Sequence, residues 1–389
     1  IKAANIHLRY PEKKVLFTFN TQSLYNQTKA LITRFYRVHS HEDPDWDYLH
    51  VRHAWGGKAK PGVYSDVCLK LGIMPLDFVK ARSQKRREPF RACCEHALAH
   101  TIAPAYDFIL VDEAQDFPQE FLQLLYKLSY DPHRICWVYD ELQSLGTPEI
   151  PQPEDLFGQD EQGNPLVSLQ GPPYPGDIEK DFVLHKSYRC PQMVLMLAHA
   201  IGLGLYNSKG CVQMLERTDS WEAIGYQLEN GNLQQGAQVV IYRPPEHSPN
   251  RIGAIYQGTQ AIVTSEVFAD RQAEIDWLAQ SIKHNINIEK VLPEQILVIC
   301  LDSKNMRELL PKVQRALRNE GVKSTIPGVN DERAIFAEAG YVTLATVFRA
   351  KGNEAHVVYI FNFESLYDYV DAIENRNRAF TAISRAKAW

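Results

Sequence analysis

Two adjacent carboxylates, Asp112 and Glu113, follow a short apolar segment and are well suited to chemistry. The segment from Phe108 to Val111 is an unbroken apolar run, which is typical of a strand buried on both faces of a parallel sheet. In open α/β sheets, ligands bind at the carboxyl ends of the strands. Asp112 therefore suits Mg²⁺, which prefers hard oxygen ligands, and Glu113 suits the orientation of a water that attacks a γ-phosphate. A solvated acidic loop is the alternative interpretation.

The elements that must position these acids have the patterns of an α/β protein. Strands are predicted over residues 15–20, 134–139, 239–242, 295–300 and 357–361, and helices over 119–128, 273–282 and 306–318. Thr21 or Ser23 is suited to cap a helix that runs to about Arg37, and Ser303 to cap the helix over 306–318. Residues 147–181 are rich in Pro, Gly and acids, which predicts an irregular segment.

Composition excludes several classes of protein. The net charge of −5 over 389 residues argues against a uniformly basic nucleic-acid coat, although a local basic groove remains compatible with it. The seven cysteines form no CxxC pair, so neither a disulfide framework nor a zinc ribbon is indicated, and a reducing cytoplasm is the expected setting. No run approaches the length of a transmembrane helix, and the first residues lack a signal-peptide pattern.

The string Asp-Glu-Ala-Gln-Asp at residues 112–116 resembles the Walker B element of the UvrD/Rep-like superfamily 1 DNA helicases. Further segments resemble other motifs of that family and occur in the family's order. They are residues 18–21, 49–57, 140–144, 182–191, 341–354 and 376–387. Together they extend from about residue 15 to residue 387, which chance similarity does not plausibly supply.

The resemblance implies two RecA-like α/β domains with parallel central sheets, which bind ATP and Mg²⁺ between them. By resemblance, Asp112 binds the metal, Glu113 orients the water, Gln143 senses the γ-phosphate, Arg189 and Arg385 act as arginine fingers, and Gly352 and Glu354 contact the nucleotide. Arg378 is expected two turns before Arg385 on the same helix face.

The resemblance also implies contacts with single-stranded or partly duplex DNA and movement in the 3′ to 5′ direction. The residues that match in kind are Thr18, Phe19, Asn20, Thr21, His53, Trp55, Thr346, Arg349 and Lys351. Three positions depart from the family pattern: Tyr139 replaces a glycine, Leu145 begins the segment that replaces an aromatic stretch, and Val347 stands near the usual histidine.

The expected organisation is a first RecA-like domain over residues 1–146, with a helical insertion at about 56–104. An irregular connection at 147–181 leads to a second RecA-like domain over 182–389. No GxxxxGK[ST] phosphate loop occurs in the sequence, and we expect it immediately upstream of Ile1, because the first residues resemble a helix already under way. If the chain is complete, ATP turnover should be very weak.

Two alternatives from other classes remain open. One is a non-catalytic helicase-like module that regulates by binding DNA or a protein partner. The other is the motor part of an RNA helicase or of a helicase–nuclease with further domains after Trp389. Stimulation of ATP hydrolysis by DNA or by RNA would discriminate between these alternatives.

Overall fold

The structure, a computed structural model, describes residues 1–21, 24–57, 61–145, 152–205, 215, 217–234, 236–252, 262–302, 304–328, 336–369 and 372–389. The chain divides into two compact units, Ile1–Lys180 and Asp181–Trp389. Each unit has its own parallel β-sheet and its own apolar core.

The first unit contains a four-stranded sheet in the order β2-β1-β3-β4. Its strands are β1 (Val15–Phe19), β2 (Leu49–His53), β3 (Tyr106–Val111) and β4 (Ser129–Trp137). Every neighbouring pair is parallel, and β1 lies between β2 and β3, with Val15 paired to both Leu49 and Phe108. Both edges of β1 are therefore hydrogen-bonded to neighbouring strands.

Helices cover both faces of this sheet. They are α1 (Lys2–Arg9), α2 (Leu24–Ser40), α3 (Val63–Leu71), α4 (Phe78–Gln84), α5 (Pro89–Leu98), α6 (Gln119–Leu128) and α7 (Pro153–Leu156). One core cluster joins α1 and α2 to side chains such as Val15 and Phe19, while a second joins α3, α5 and α6 to Leu16 and Ile109. This division follows the alternation of side chains along a strand. Helices α3, α4 and α5 form the expected helical insertion.

The second unit contains a four-stranded parallel sheet in the order β10-β7-β9-β8. Its strands are β7 (Ile296–Cys300), β8 (Ser324–Thr325), β9 (Val342–Thr346) and β10 (Val357–Phe361), and a separate antiparallel pair is formed by β5 (Gln227–Asn230) and β6 (Val240–Tyr242). Strands β7 and β9 are buried along their whole length. This is the burial expected of inner strands in a parallel sheet.

The helices of the second unit include two long ones that pack on this sheet. They are α8 (Gln192–Leu203), α9 (Thr218–Ala223), α10 (Arg271–Asn287), α11 (Met306–Asn319), α12 (Val347–Ala350) and α13 (Ile373–Ile383). The Asp270 carboxylate accepts a hydrogen bond from the Ala273 N–H at 2.9 Å and so caps α10. Its apolar stripe of Ile275, Leu278 and Ile282 is buried.

The structure confirms the predicted fold class of α/β units with parallel central sheets and a helical insertion in the first. One sequence expectation needs correction. Helix α13 ends at Ile383, so Arg385 follows the helix and does not share a helical face with Arg378. The strand predicted over residues 239–242 is present as β6, which belongs to the antiparallel pair. The predicted caps Ser23 and Ser303 lie outside the described residues. Within the described residues, no helix is long and apolar enough to cross a membrane.

Candidate functional site

The acidic turn of the first unit begins where β3 ends. The Asp112 N–H donates to the Thr18 carbonyl at 3.0 Å, which extends the pairing of β3 with β1 by one residue. Glu113 then adopts a left-handed backbone conformation with φ of 54°, which an L-residue visits at a cost of about 1 kcal/mol. This conformation ends the strand and starts the short helical turn Ala114–Asp116. Both carboxylates thereby stand at the carboxyl end of the sheet, as expected from the sequence.

A buried glutamine connects this turn to the end of β4. The Gln115 side-chain amide donates to the Glu113 carboxylate, and its carbonyl accepts a hydrogen bond from the Asp140 N–H at 3.1 Å. The Gln143 amide in turn donates to the Asp140 carboxylate at 2.6 Å. Glu113 and Gln143 are therefore members of one hydrogen-bonded network, in which each polar group fixes the orientation of the next.

A second polar group lies beside the acidic turn. The Nδ1 atom of His53 accepts hydrogen bonds from the Trp55 and Gly56 N–H groups, both at 3.2 Å, so the ring proton resides on Nε2. Nε2 donates to the Asn20 carbonyl at 2.6 Å, and the Asn20 side chain donates to the Asp116 carbonyl at 3.5 Å. Residues expected to contact nucleic acid are thus tied to the acidic turn.

The predicted nucleic-acid residues differ in exposure. Four of them are buried: Thr18, Phe19, Thr346 and Lys351. Thr18 and Phe19 are buried because β1 is an inner strand with helices over both faces, so their side chains face the core and not a surface ligand. Exposed or half-buried side chains are those of Asn20, Thr21, His53, Trp55 and Arg349. Among the predicted contacts, these side chains are the accessible ones.

In the second unit, Glu354 forms ion pairs with two cationic side chains. Its Oε2 accepts a hydrogen bond from Arg189 Nε at 2.7 Å, and its Oε1 lies 2.8 Å from Lys387 Nζ. Burial favours the neutral acid, but the hydrogen bond from Lys387 and the Arg189 cation outweigh it and lower the pKa of Glu354. Glu354 is therefore a carboxylate at neutral pH, and it holds two predicted motifs together.

Arg189, Glu354 and Lys387 line an open cavity of about 490 Å³. Asn250 and Arg251 contribute to the same wall. Three cations and one carboxylate meet here, which is a charge balance suited to an anionic ligand such as a phosphate ester. The cavity lies entirely within the second unit.

The remaining predicted residues of this unit are near the end of the chain and in the turn before β10. Arg385 is 1% exposed, and its guanidinium donates to the Thr381 carbonyl at 2.9 Å and to the Ser384 hydroxyl at 3.0 Å. Gly352 has φ of 79°, a conformation that favours glycine, and turns the chain toward Glu354. Arg385 is thus held by its own segment.

Sequence reasoning missed the role of two residues. Gln115 lies inside the predicted Walker B string, but its position between Glu113 and Asp140 depends on the neighbouring strand β4. Asn250 lies in no motif, and the two carbonyls to which its amide donates are 61 and 137 residues away along the chain. No local sequence signal could have identified Asn250.

Comparison with known proteins bears on the C-terminal part of the chain. Residues 341–389 match the family described as UvrD-like helicase C-terminal domain. The C-terminal segment is helicase-like. This helicase-like segment contains Glu354 and Arg385, two of the predicted site residues, and also Lys387, which was not predicted.

One solved structure with similarity to this chain is the crystal structure of the Pyrococcus furiosus Hef helicase domain. The two share 12% identity with a TM-score of 0.28, over 100% of this chain and 92% of that chain. No curated protein gives a significant match.

Proposed function

We propose that this chain is the motor part of an ATP-dependent DNA helicase or translocase of the UvrD/Rep type, moving 3′ to 5′ along single-stranded DNA. The observation that carries the proposal is the helicase-like segment at 341–389, which contains Glu354 bound to Arg189. The setting is proposed to be the cytoplasm, because the cysteines of the described residues are free thiols.

In the first unit, Asp112 is proposed to bind Mg²⁺ and Glu113 to orient the attacking water. The donor set fits, because carboxylate oxygens are the hard ligands that this ion prefers. The bound metal would neutralise charge on the phosphates of ATP. Gln115 keeps the Glu113 carboxylate in place, and Gln143 is proposed to sense the γ-phosphate through the amide that now donates to Asp140.

In the second unit, Arg189 and Arg385 are proposed to stabilise the charge of the transferring phosphoryl group, and Gly352 and Glu354 to contact the nucleotide. A planar guanidinium suits this task because it donates in two directions to phosphate oxygens. Arg189 must exchange Glu354 for phosphate. Lys387 remains on the other carboxylate oxygen and keeps Glu354 ionised during that exchange.

Contact with the nucleic-acid strand is proposed for the accessible residues among those predicted. Asn20, Thr21, His53 and Trp55 lie at or near the carboxyl ends of β1 and β2 in the first unit, and Arg349 is exposed in the second. Trp55 also packs against Phe78 and Phe90, with ring centroids 6.0 and 5.4 Å away. Stacking of a base on Trp55 would therefore use the part of the ring that these contacts leave exposed.

A non-catalytic helicase-like module is the second candidate. It is favoured by two residues that depart from the family pattern and are buried, Leu145 at 7% and Val347 at 0% exposure. Neither side chain is accessible to a nucleic-acid strand. The carboxylates Asp112 and Glu113 favour the motor.

The test is phosphate release from ATP by the protein expressed with its natural termini, with and without single-stranded DNA or RNA. The motor predicts hydrolysis that DNA stimulates and that Glu113→Gln reduces at least a hundredfold. Glu12→Gln, at an exposed position of the same unit, serves as the control. Hydrolysis that neither nucleic acid stimulates would contradict the motor, and stronger stimulation by RNA would assign an RNA substrate. Unwinding of duplexes with a 3′ or a 5′ tail then determines the direction.

A further inference from the structure

The side-chain amide of Asn250 joins three segments of the second unit. Its Nδ2 donates to the Arg189 carbonyl at 2.7 Å and to the Lys387 carbonyl at 3.0 Å, and its Oδ1 accepts a hydrogen bond from the Ile252 N–H at 2.9 Å. A primary amide offers two N–H donors and one carbonyl. Each of these groups of Asn250 therefore has a backbone partner.

The two carbonyls belong to the segments that carry the proposed arginine fingers. Arg189 itself is one finger, and Lys387 follows the other, Arg385, by two residues. A further contact joins the same two segments, because the buried Cys190 thiol donates to the Ser384 carbonyl at 3.3 Å. Two residues outside these segments contact both of them: Glu354 through the cationic side chains, and Asn250 through the backbone carbonyls.

The position of Asn250 relative to the cavity gives these contacts a consequence. Asn250 lies in the wall of the cavity together with Arg189, Glu354 and Lys387. Its two donated hydrogen bonds fix the backbone from which the cationic side chains of Arg189 and Lys387 extend toward Glu354. Displacement of either backbone would move the cation relative to a bound phosphate, and a shift of about 1 Å at such a site can cost about a hundredfold in rate.

We infer that Asn250 is a positioning residue, which holds Arg189 and the segment of Arg385 in one fixed arrangement for phosphoryl transfer. The inference rests on the proposed function. It differs from the motif assignments because the Asn250 amide donates to two backbone carbonyls, through which it acts on the cationic residues. If Asn250 were merely structural, its substitution would instead lower the stability of the protein and weaken every binding step together.

The experiment compares Asn250→Asp with wild type in DNA-stimulated ATP hydrolysis. Aspartate has the size of asparagine but places an oxygen where the two donors were, so it repels both carbonyls. We expect kcat to fall about tenfold or more, while the affinity for ADP, which lacks the γ-phosphate, changes less than about twofold. Asn250→Ala removes the donors without adding charge, and a fall in kcat is expected there too. Asn232→Asp, at an exposed position of the same unit, is the matched control.

A double variant separates positioning from general destabilisation. If Asn250 acts through Arg189, then Asn250→Asp adds little to Arg189→Ala, and the two effects on kcat are strongly non-additive. Multiplicative effects, or a loss of ADP binding and thermal stability in step with kcat, would overturn the inference. So would wild-type kcat in both Asn250 variants while Arg189→Ala is impaired. If wild type hydrolyses no ATP, the proposed function fails instead.

Discussion

The Nε atom of Arg189 donates to the Glu354 carboxylate at 2.7 Å across 165 residues of chain. The side chains remain 40% and 30% exposed, respectively. Ion pairs this exposed contribute about 0–1 kcal/mol to stability, because water and salt screen them. The pair is therefore weak enough to exchange for a stronger anion. A phosphate that enters the cavity is such an anion.

Arg189→Ala should abolish most ATP hydrolysis without unfolding the protein. Loss of an arginine finger lowers kcat by roughly a thousandfold or more. The exposed ion pair predicts a change in the free energy of unfolding below about 1 kcal/mol. Steady-state phosphate release and urea unfolding measure the two effects. Arg318→Ala, at an exposed position of the same unit, should leave both at the wild-type level. Normal turnover in Arg189→Ala would remove this residue from the mechanism.

Gln115→Leu should weaken both the first unit and its chemistry. The substitution removes the buried hydrogen bonds to Glu113 and to the Asp140 N–H, and the loss of such a bond costs about 1–3 kcal/mol. Urea unfolding measures this change. A control is Gln84→Leu at the exposed end of α4, where we expect a change within about 0.5 kcal/mol. Because Glu113 would lose its fixed orientation, kcat should fall as well. Equal stability of the two variants would show that the Gln115 network contributes nothing.

His199 should make the second unit less stable in mild acid. Burial, together with the nearby Arg243 cation, lowers the pKa of His199 to about 4. In the unfolded chain, the histidine has its ordinary pKa of about 6.5. The contribution of His199 to the free energy of unfolding is therefore fully present above that pH and is lost as the pH falls toward 4. The contribution lost between pH 7.5 and pH 5 is about 1–2 kcal/mol.

The measurement for His199 is urea unfolding at these two pH values in wild type and in His199→Leu. The absolute stability of the variant will differ, because His199 also bonds to the Tyr226 hydroxyl and packs against Phe380. The informative quantity is the difference between the two pH values, which should shrink in the variant. An unchanged difference would mean that His199 is not the group that titrates.

Arg349→Ala should reduce the affinity for single-stranded DNA and the salt dependence of that affinity. Arg349 is exposed, and neutralisation of one phosphate of a single strand contributes about 0.7 to the slope of log K against log salt concentration. Fluorescence anisotropy at several salt concentrations measures the slope. The exposed Arg307 in α11 provides the control, Arg307→Ala. A slope that is identical in wild type and both variants would show that the DNA strand does not contact Arg349.

Local patterns were sufficient to predict several of the elements and the acidic turn. The apolar run before Asp112 became β3, and the periodic segment after Pro118 became a helix with the predicted bounds, Gln119–Leu128. Both predictions depend on spacing within a few residues, which the sequence contains. Strand β4 begins at Ser129 and not at Arg134, because its first residues pair with β3 through an irregular register that no local pattern reveals.

The contacts that build the site depend on distant parts of the chain, and they could not be predicted. Spacing gave Arg189 and Glu354 as separate motif residues, but only the folded unit brings Arg189 Nε to within 2.7 Å of Glu354 Oε2. Burial of Thr18 and Phe19 follows from the inner position of β1, which is a property of the strand order. Asn250 lacked any signal, because an asparagine that bonds to carbonyls resembles any surface asparagine in sequence.

The central claim is that the acids of the first unit and the arginines of the second act on one triphosphate. The most direct measurement is an experimental structure of the protein with its natural termini, bound to Mg²⁺ and a non-hydrolysable ATP analogue. The account predicts that Arg189 has left Glu354 for the γ-phosphate, with Arg385 beside it and Asp112 on the metal. A nucleotide contacted by one unit alone, with Arg189 still on Glu354, would contradict the account.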